Sequence, residues 1–294
     1  MIHNGYLCFE NNNHMDLQSE VNKLIESQRK EWKDFDQRVH DLSNLQTKRL
    51  SWDNSLYVDI QFNPARIVSS GAKVDAKNIE KRPCFLCEAN RPTVQWGIPF
   101  LEKYIILVNP FPILKNHLTI PLHSHVPQRI GNKLGDLLSL AENLPDYVVF
   151  YNGPKSGASA PDHFHFQAGL KSEILMEGEN ELRSCLIIES ENKEEVLQRF
   201  EDIYDYLKSK QPDEEEPMMN IIAFMDNGKY VVHVFPRKAH RPRQYFLEGN
   251  DQLLISPGAI DMTGLIIASR PEDFEKIFQH DIEDIYNQVS MPII

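Results

Sequence analysis

Apolar positions along this chain change their period several times, and each change predicts a change of element. From Asp16 to about Leu45, the residues Leu17, Val21, Leu24, Trp32, Phe35, Val39 and Leu42 recur at three- and four-residue steps among charged neighbours, the spacing of one helical face. Short β-type runs follow: LYVDIQF (Leu56–Phe62), ARIVSS (Ala65–Ser70), YIILVNPFP (Tyr104–Pro112) and HLTIPL (His117–Leu122), the last two joined by a turn bearing Pro and Asn. Asn132–Asn143 predicts a helix, DYVVFYNG (Asp146–Gly153) a buried strand, and DHFHFQAG (Asp162–Gly169) a further strand after a polar loop.

A second region begins near Lys171. Asn192–Lys210 predicts an amphipathic helix, and QPDEEEP (Gln211–Pro217) a solvated acidic linker. NIIAFMD, KYVVHVFPR and GLIIASR are strand candidates, and PEDFEKIF opens a final helix with Pro271 in its first turn. Strands and helices without regular alternation predict an α+β architecture with antiparallel sheets. The segments are a helical one over 1–50, a catalytic half over 51–170 and a C-terminal α+β half over 171–294. Two halves related as diverged pseudo-duplicates are compatible with this pattern.

In DHFHFQAG, alternation puts His163, His165 and Gln167 on one face and Phe164, Phe166 and Ala168 on the other. A strand with one wet face is the plain alternative. Two imidazoles and an amide in register behind a Gly/Ser loop favour a site, because imidazole can attack phosphorus and form a labile adduct. The loop before it, NGPKSGAS (Asn152–Ser159), holds Gly153 and Gly157, which permit close backbone approach, the hydroxyls of Ser156 and Ser159, and the charge of Lys155. Those features suit an anion.

Cys84 and Cys87 form a C-x-x-C in CFLC, the usual first half of a tetrahedral zinc site. His123 and His163 are the candidates for the other half, with His125 and His117 as substitutes. Redox use of the pair lacks a thioredoxin-like β-α-β context. Cys8 and Cys185 have no partner pattern and read as structural or incidental thiols. With two thiolates and two imidazoles the zinc would be structural, leaving no open position.

A formal net charge of −12 argues against a nucleic-acid partner, which needs a basic footprint. PRKAHRPR (Pro236–Arg243) is the one dense basic stretch. Arg237, Lys238 and Arg241 are its candidates for clamping a phosphate or sugar, against the plainer reading of a solvated turn. No apolar run nears the roughly 20 residues that span a bilayer, so no membrane partner is expected. The N-terminus shows no secretory pattern, which makes the cytoplasm the expected compartment.

CFLCEANRP, NHLTIPLHSH, NGPKSGAS and HFHFQ, in that order, resemble the histidine-triad superfamily. The branch is that of galactose-1-phosphate uridylyltransferase, diadenosine tetraphosphate phosphorylase and the GDP-hexose phosphorylases. HFHFQ matches the branch's His-x-His-x-Gln signature, in which glutamine replaces the third histidine of the hydrolases. The resemblance runs from about Asn63 to Gly169 and extends more weakly to Ile255–Phe274. It implies a histidine-triad-like antiparallel sheet with flanking helices, and a homodimer. It implies that His165 is the nucleophile and that Gln167 hydrogen-bonds the attacked phosphate. Ser159 and the Gly157 region, with Asn152 and Ser156, would hold phosphate oxygens, and Cys84, Cys87, His123 and His163 would hold zinc.

Two departures from the uridylyltransferase pattern, the missing proline between the signature histidines and Asp162 between Pro161 and His163, bring the chain closer to the GDP-hexose phosphorylases. The activity implied is transfer of a nucleotidyl group from a nucleotide sugar or dinucleoside polyphosphate, through a nucleotidyl-histidine, to inorganic phosphate or a sugar phosphate. A hydrolase of nucleotide polyphosphates and a non-catalytic nucleotide-binding protein are the alternatives.

Overall fold

Asp16 starts the first helix by accepting the Ser19 N–H at 2.8 Å, an N-cap that satisfies one of the helix's unpaired donors. The computed structural model describes residues 2–3, 6–7, 16–53, 55–67, 71, 76–174 and 182–293. The period expected to run unbroken to Leu45 is interrupted at Trp32, which leaves helical geometry and separates α1 (Leu17–Glu31) from α2 (Lys33–Leu42). Both helices keep their apolar faces on one core, through Val21, Leu24, Ile25 and Phe35.

Ten strands form the main sheet. In chain order they are β1 (Ile2–His3), β2 (Tyr6–Leu7), β5 (Gly97–Phe100), β6 (Tyr104–Val108), β7 (Leu118–Pro121), β8 (Tyr147–Asn152), β9 (His165–Leu170), β10 (Leu186–Ser190), β11 (Met219–Asp226) and β12 (Lys229–Pro236). Their spatial order is β1-β2-β5-β6-β7-β9-β8-β11-β12-β10, antiparallel throughout except for β2 beside β5. A second sheet joins β3 (Gln46–Ser51), β4 (Tyr57–Phe62) and β13 (Leu265–Ala268). The architecture is α+β, as the mixed pattern predicts. The main sheet does not stop at the boundary drawn near Lys171. β8 pairs with β11 from Asn152↔Asn220 to Val149↔Ala223, so strands of both halves form one surface.

The pleat divides the molecule into layers. One face of the sheet carries Phe164, Phe166, Ala168, Val149 and Tyr151 against α1, α4 (Leu134–Asn143) and α5 (Lys193–Lys210). The other carries Val148, Phe150, Ile222 and Phe235 against the small sheet, α6 (Ala259–Met262) and α8 (Gln279–Val289). By alternation His165 and Gln167 face this second layer.

Several expectations need correction. Ala65 and Arg66 lie in a short 3-10 turn that begins with Pro64 and is capped by Asn63, not in a strand; Val68–Ser70 and Cys8 fall outside the described residues. The expected final helix, α7 (Pro271–Lys276), ends at Lys276 and α8 starts separately at Gln279; the remaining short helix, α3, spans Ala76–Lys81. QPDEEEP is not uniformly solvated. Glu214 pairs with Lys155 and Glu215 with Arg129, while Glu216 is buried, accepting from the Ile130 N–H and the Tyr151 hydroxyl. Burial raises the Glu216 carboxyl above its ordinary range.

Candidate active site and metal centre

The turn from Cys84 to Cys87, closed by the Cys87 N–H to the Cys84 carbonyl at 3.2 Å, brings both thiols to one side. His163, in the bend before β9, places Nδ1 at 3.3 Å from the Cys84 sulfur and 3.5 Å from that of Cys87. His125 places its Nδ1 3.3 Å from Cys87 Sγ. The four donor atoms lie within 4.8 Å of one another. A tetrahedral zinc ion with ordinary bond lengths would separate a sulfur and a nitrogen ligand by about 3.6 Å, so the donor set fits one.

The His163 tautomer fits as well. Its Nε2–H donates to the Leu122 carbonyl at 2.8 Å, leaving the Nδ1 lone pair on the thiol side. Burial pushes the Cys87 thiol up, aided by the Cys84 sulfur beside it, and pulls His163 down. At the position expected of His123, the cluster therefore has His125. His123 is exposed just past β7, and its N–H is tied to the Lys103 carbonyl at 2.9 Å; two residues on, the bend has brought His125 to the thiols.

His165 opens β9, the strand that was expected to begin earlier, and its ring is buried. Its Nδ1–H donates to the His163 carbonyl at 2.9 Å, because a carbonyl can only accept. The lone pair therefore resides on Nε2. Burial holds the imidazole down to about 4, so the ring is neutral at pH 7.

Gln167 lies two residues on along the same face. The Ile113 N–H donates to Nδ1 of the buried His117 at 3.2 Å, which puts the His117 proton on Nε2, from which it is given to Gln167 Oε1 at 2.9 Å. That bond fixes the carboxamide with its –NH₂ as the remaining donor. His117 stacks on Phe150 at 5.9 Å, and burial lowers its pKa to about 3. His117 thus orients the site and is no substitute metal ligand.

The loop Asn152–Ser159 is held from behind by the C-terminal half. Asn152 Oδ1 accepts from the Asn220 amide at 2.8 Å and the Ala259 N–H at 2.7 Å, and Asn220 also donates to the Ser156 carbonyl at 2.6 Å. Gly157 has φ +96°, and a Cβ there would stand 2.6 Å from the Gly258 Cα, so glycine is required. The Ser156 side chain is fully buried, whereas Ser159 is partly open. Lys155 is exposed and engaged by Glu214.

The basic stretch divides. Arg237 is fully buried, with Nη1 on Asn220 Oδ1 (2.5 Å) and the Pro257 carbonyl (3.0 Å), Nη2 on the Ala239 and His240 carbonyls, and Nε on the Val289 carbonyl. It braces the loop through Asn220 and has no surface to offer a ligand. Lys238 is exposed. Arg241 is half-buried and donates to Ser256 Oγ at 3.0 Å, one residue from the Pro257–Gly258 segment that meets Gly157. Sequence reasoning missed Asn220 and the brace made by Arg237. Neither carries a local motif, and only pairing across the sheet reveals them.

Residues 24–170, half of the 294-residue chain, match the family described as Domain of unknown function (DUF4922), and the chain belongs to it. No curated protein matches the sequence significantly. Crystal structures of yeast Ap4A phosphorylase Apa2 share the fold at 16% identity. One solved in complex with AMP aligns with a TM-score of 0.57 over 88% of this chain and 97% of that one. Another of the same enzyme gives 0.59 over 87% and 97%, and one in complex with Ap4A gives 0.54 over 88% and 98%.

Proposed function

We propose that this member of the DUF4922 family is a nucleotidyltransferase of the phosphorylase type, acting on a dinucleoside polyphosphate or a nucleoside diphosphate sugar. The observation that carries the reading is the pair His165 and Gln167: a neutral imidazole with its lone pair fixed on Nε2, next to a carboxamide whose –NH₂ is fixed as a donor. A hydrolase would be served by an imidazole at position 167. Glutamine there donates to a phosphoryl oxygen without adding a proton to the leaving group.

In the reaction, His165 Nε2 attacks the α-phosphorus in line. An N–P bond forms as the P–O bond to the leaving polyphosphate or sugar phosphate breaks. The imidazole becomes cationic, and the His163 carbonyl, already accepting from Nδ1–H, stabilises that charge. Gln167 and the Ser159 end of the loop bind the non-bridging oxygens, whose charge grows in the transition state. Inorganic phosphate or a sugar phosphate then attacks the same phosphorus, the N–P bond breaks, and the neutral imidazole returns.

Cys84, Cys87, His125 and His163 would hold zinc, which when bound would supply a structural cross-link between these segments. Because His163 contributes both a ligand nitrogen and the carbonyl that receives His165 Nδ1–H, the cross-link would fix the residue that orients the nucleophile.

The test uses Ap4A and GDP-hexoses labelled at the α-phosphate, with and without inorganic phosphate. The intact protein should carry acid-labile, base-stable label, and phosphate should release it as a nucleoside diphosphate. His165→Ala should carry none. Label retained on His165→Ala, or no label on the intact protein with any of these substrates, would overturn the reading.

A further inference from the structure

β8 and β9 begin as ordinary partners and then part. Their pairing runs from Tyr147↔Leu170 to Phe150↔Gln167 and ends there. The same register would set Asn152 opposite His165 two residues further on, at the next hydrogen-bonded rung. Instead β8 follows β11, through Asn152↔Asn220, and β9 follows β7, through Pro121↔His165. The sheet is split at the step where the nucleophile candidate faces the start of the phosphate loop.

Such a split leaves peptide groups facing a gap, and buried peptide groups must find partners. On the β7 side the Leu122 N–H donates to the Phe164 carbonyl at 3.0 Å, which turns the N–H and C=O of His165 the other way, toward β8. Gln128 fills the gap. Its Oε1 accepts the His165 N–H at 2.8 Å, and its Nε2 donates to the His165 carbonyl and the Asn152 carbonyl, both at 3.0 Å. One side-chain amide thus replaces the missing rung of the ladder.

The residue itself cannot drift. It is fully buried, and its own N–H donates to the Pro161 carbonyl at 3.0 Å.

We propose that Gln128 is a positioning residue for the transfer reaction, holding the backbone of the nucleophile at a fixed separation from the phosphate-binding loop. The inference rests on the proposed role of His165. Nothing in it requires Gln128 to touch substrate. A strand pair closed to its end would draw Asn152 onto His165 and leave no room between them for a phosphoryl group. A pair splayed without a strut would leave the imidazole free to move by the ångström or so that in-line attack does not tolerate.

The test compares the full-length protein with Gln128→Glu, which keeps the acceptor and, protonated against the two carbonyls, one of the two donors, and Gln128→Met, which keeps the shape and loses all three bonds. Three quantities are read: the single-turnover rate of label transfer to His165, the dissociation constant of the nucleotide product, and the backbone amide resonance of His165 in histidine-labelled protein. Gln128→Glu should slow transfer about tenfold and Gln128→Met about a hundredfold, the loss expected of an ångström-scale misplacement, with nucleotide affinity changed less than about threefold. The His165 amide resonance should move strongly in Gln128→Met and little in Gln128→Glu.

Folded variants that transfer label at the normal rate would overturn the proposal. So would a loss carried wholly by weaker nucleotide binding. If Gln128→Met does not fold, the rate and affinity of Gln128→Glu decide. If the intact protein takes up no label at all, the reading of His165 fails. The strut is then judged on the amide resonance alone, and an unmoved His165 signal in Gln128→Met overturns it.

Discussion

Replacing His117 by phenylalanine, at two pH values, separates its structural contribution from its role toward Gln167. The ring is buried and stacked on Phe150, and phenylalanine keeps that shape. It leaves the Ile113 N–H and Gln167 Oε1 without their partner, which should cost about 2–3 kcal/mol at neutral pH. The pH dependence has a definite sign. Burial lowers the folded imidazole from 6.5 to about 3, so below pH 6.5 the unfolded chain takes up the proton first and stability is lost as the pH falls, until about pH 3. At pH 4.5, two units below the free value, this amounts to about 3 kcal/mol; at pH 7.5 it is close to zero.

Phenylalanine has no such proton. Acid losses elsewhere, at the thiol–imidazole cluster or other buried histidines, are common to both proteins and cancel in the difference between them. Urea unfolding should therefore find the variant less stable by about 2–3 kcal/mol at pH 7.5 and nearly equal to the parent at pH 4.5. A stability difference that is the same at both pH values would refute the assignment of His117 as a buried neutral donor. Label transfer at pH 7.5 should fall about tenfold, because the Gln167 carboxamide is then free to turn over.

Arg237→Met should destabilise the protein by about 3–5 kcal/mol in urea unfolding, since the carbonyls of Pro257, Ala239, His240 and Val289 lose a donor at a buried site. Arg241→Ala, at a half-open side chain, should change stability by less than about 1 kcal/mol and instead raise the KM for the nucleotide. Gly157→Ala, with its Cβ driven against the Gly258 backbone at positive φ, should lose label transfer while far-ultraviolet circular dichroism stays unchanged. Cys84→Ser should lower metal content measured by mass spectrometry and lower the Tm, with transfer falling only as far as folded protein is lost.

The parts of this molecule that sequence exposed are those whose function lies in a local period or a fixed spacing. Alternation in HFHFQ placed His165 and Gln167 on one face, because a strand imposes that geometry wherever it sits. C-x-x-C put two thiols on one turn for the same reason. The choice between His123 and His125 was not local: both flank the same bend, and tertiary geometry brings His125 to the thiols while the His123 N–H is tied to the Lys103 carbonyl. Arg237 shows the limit from the other side. Its charge, in a dense basic run, reads as a surface clamp, yet one residue past the end of β12 it is fully buried, and its five donors serve backbone carbonyls and Asn220. The break at Trp32 and the burial of Glu216 in an acidic run were hidden likewise, since tertiary partners and not propensity determine them.

Those partners come from the far end of the chain. The loop that would hold phosphate belongs to the region before Lys171, but its shape is set by Asn220 on β11, by Arg237 beyond β12 and by the Pro257–Gly258 segment against Gly157. Gln128, between β7 and α4, supplies the opposing constraint on His165. The gap between His165 and the loop is therefore set from two directions. On one side a single amide holds β8 and β9 apart, and on the other a buried guanidinium and two asparagines press the loop into place. If only the first were lost, His165 would move and the loop would stay; if only the second, the reverse. The C-terminal half thus forms the back wall of the candidate site, beyond the basic substrate-binding loop expected of it.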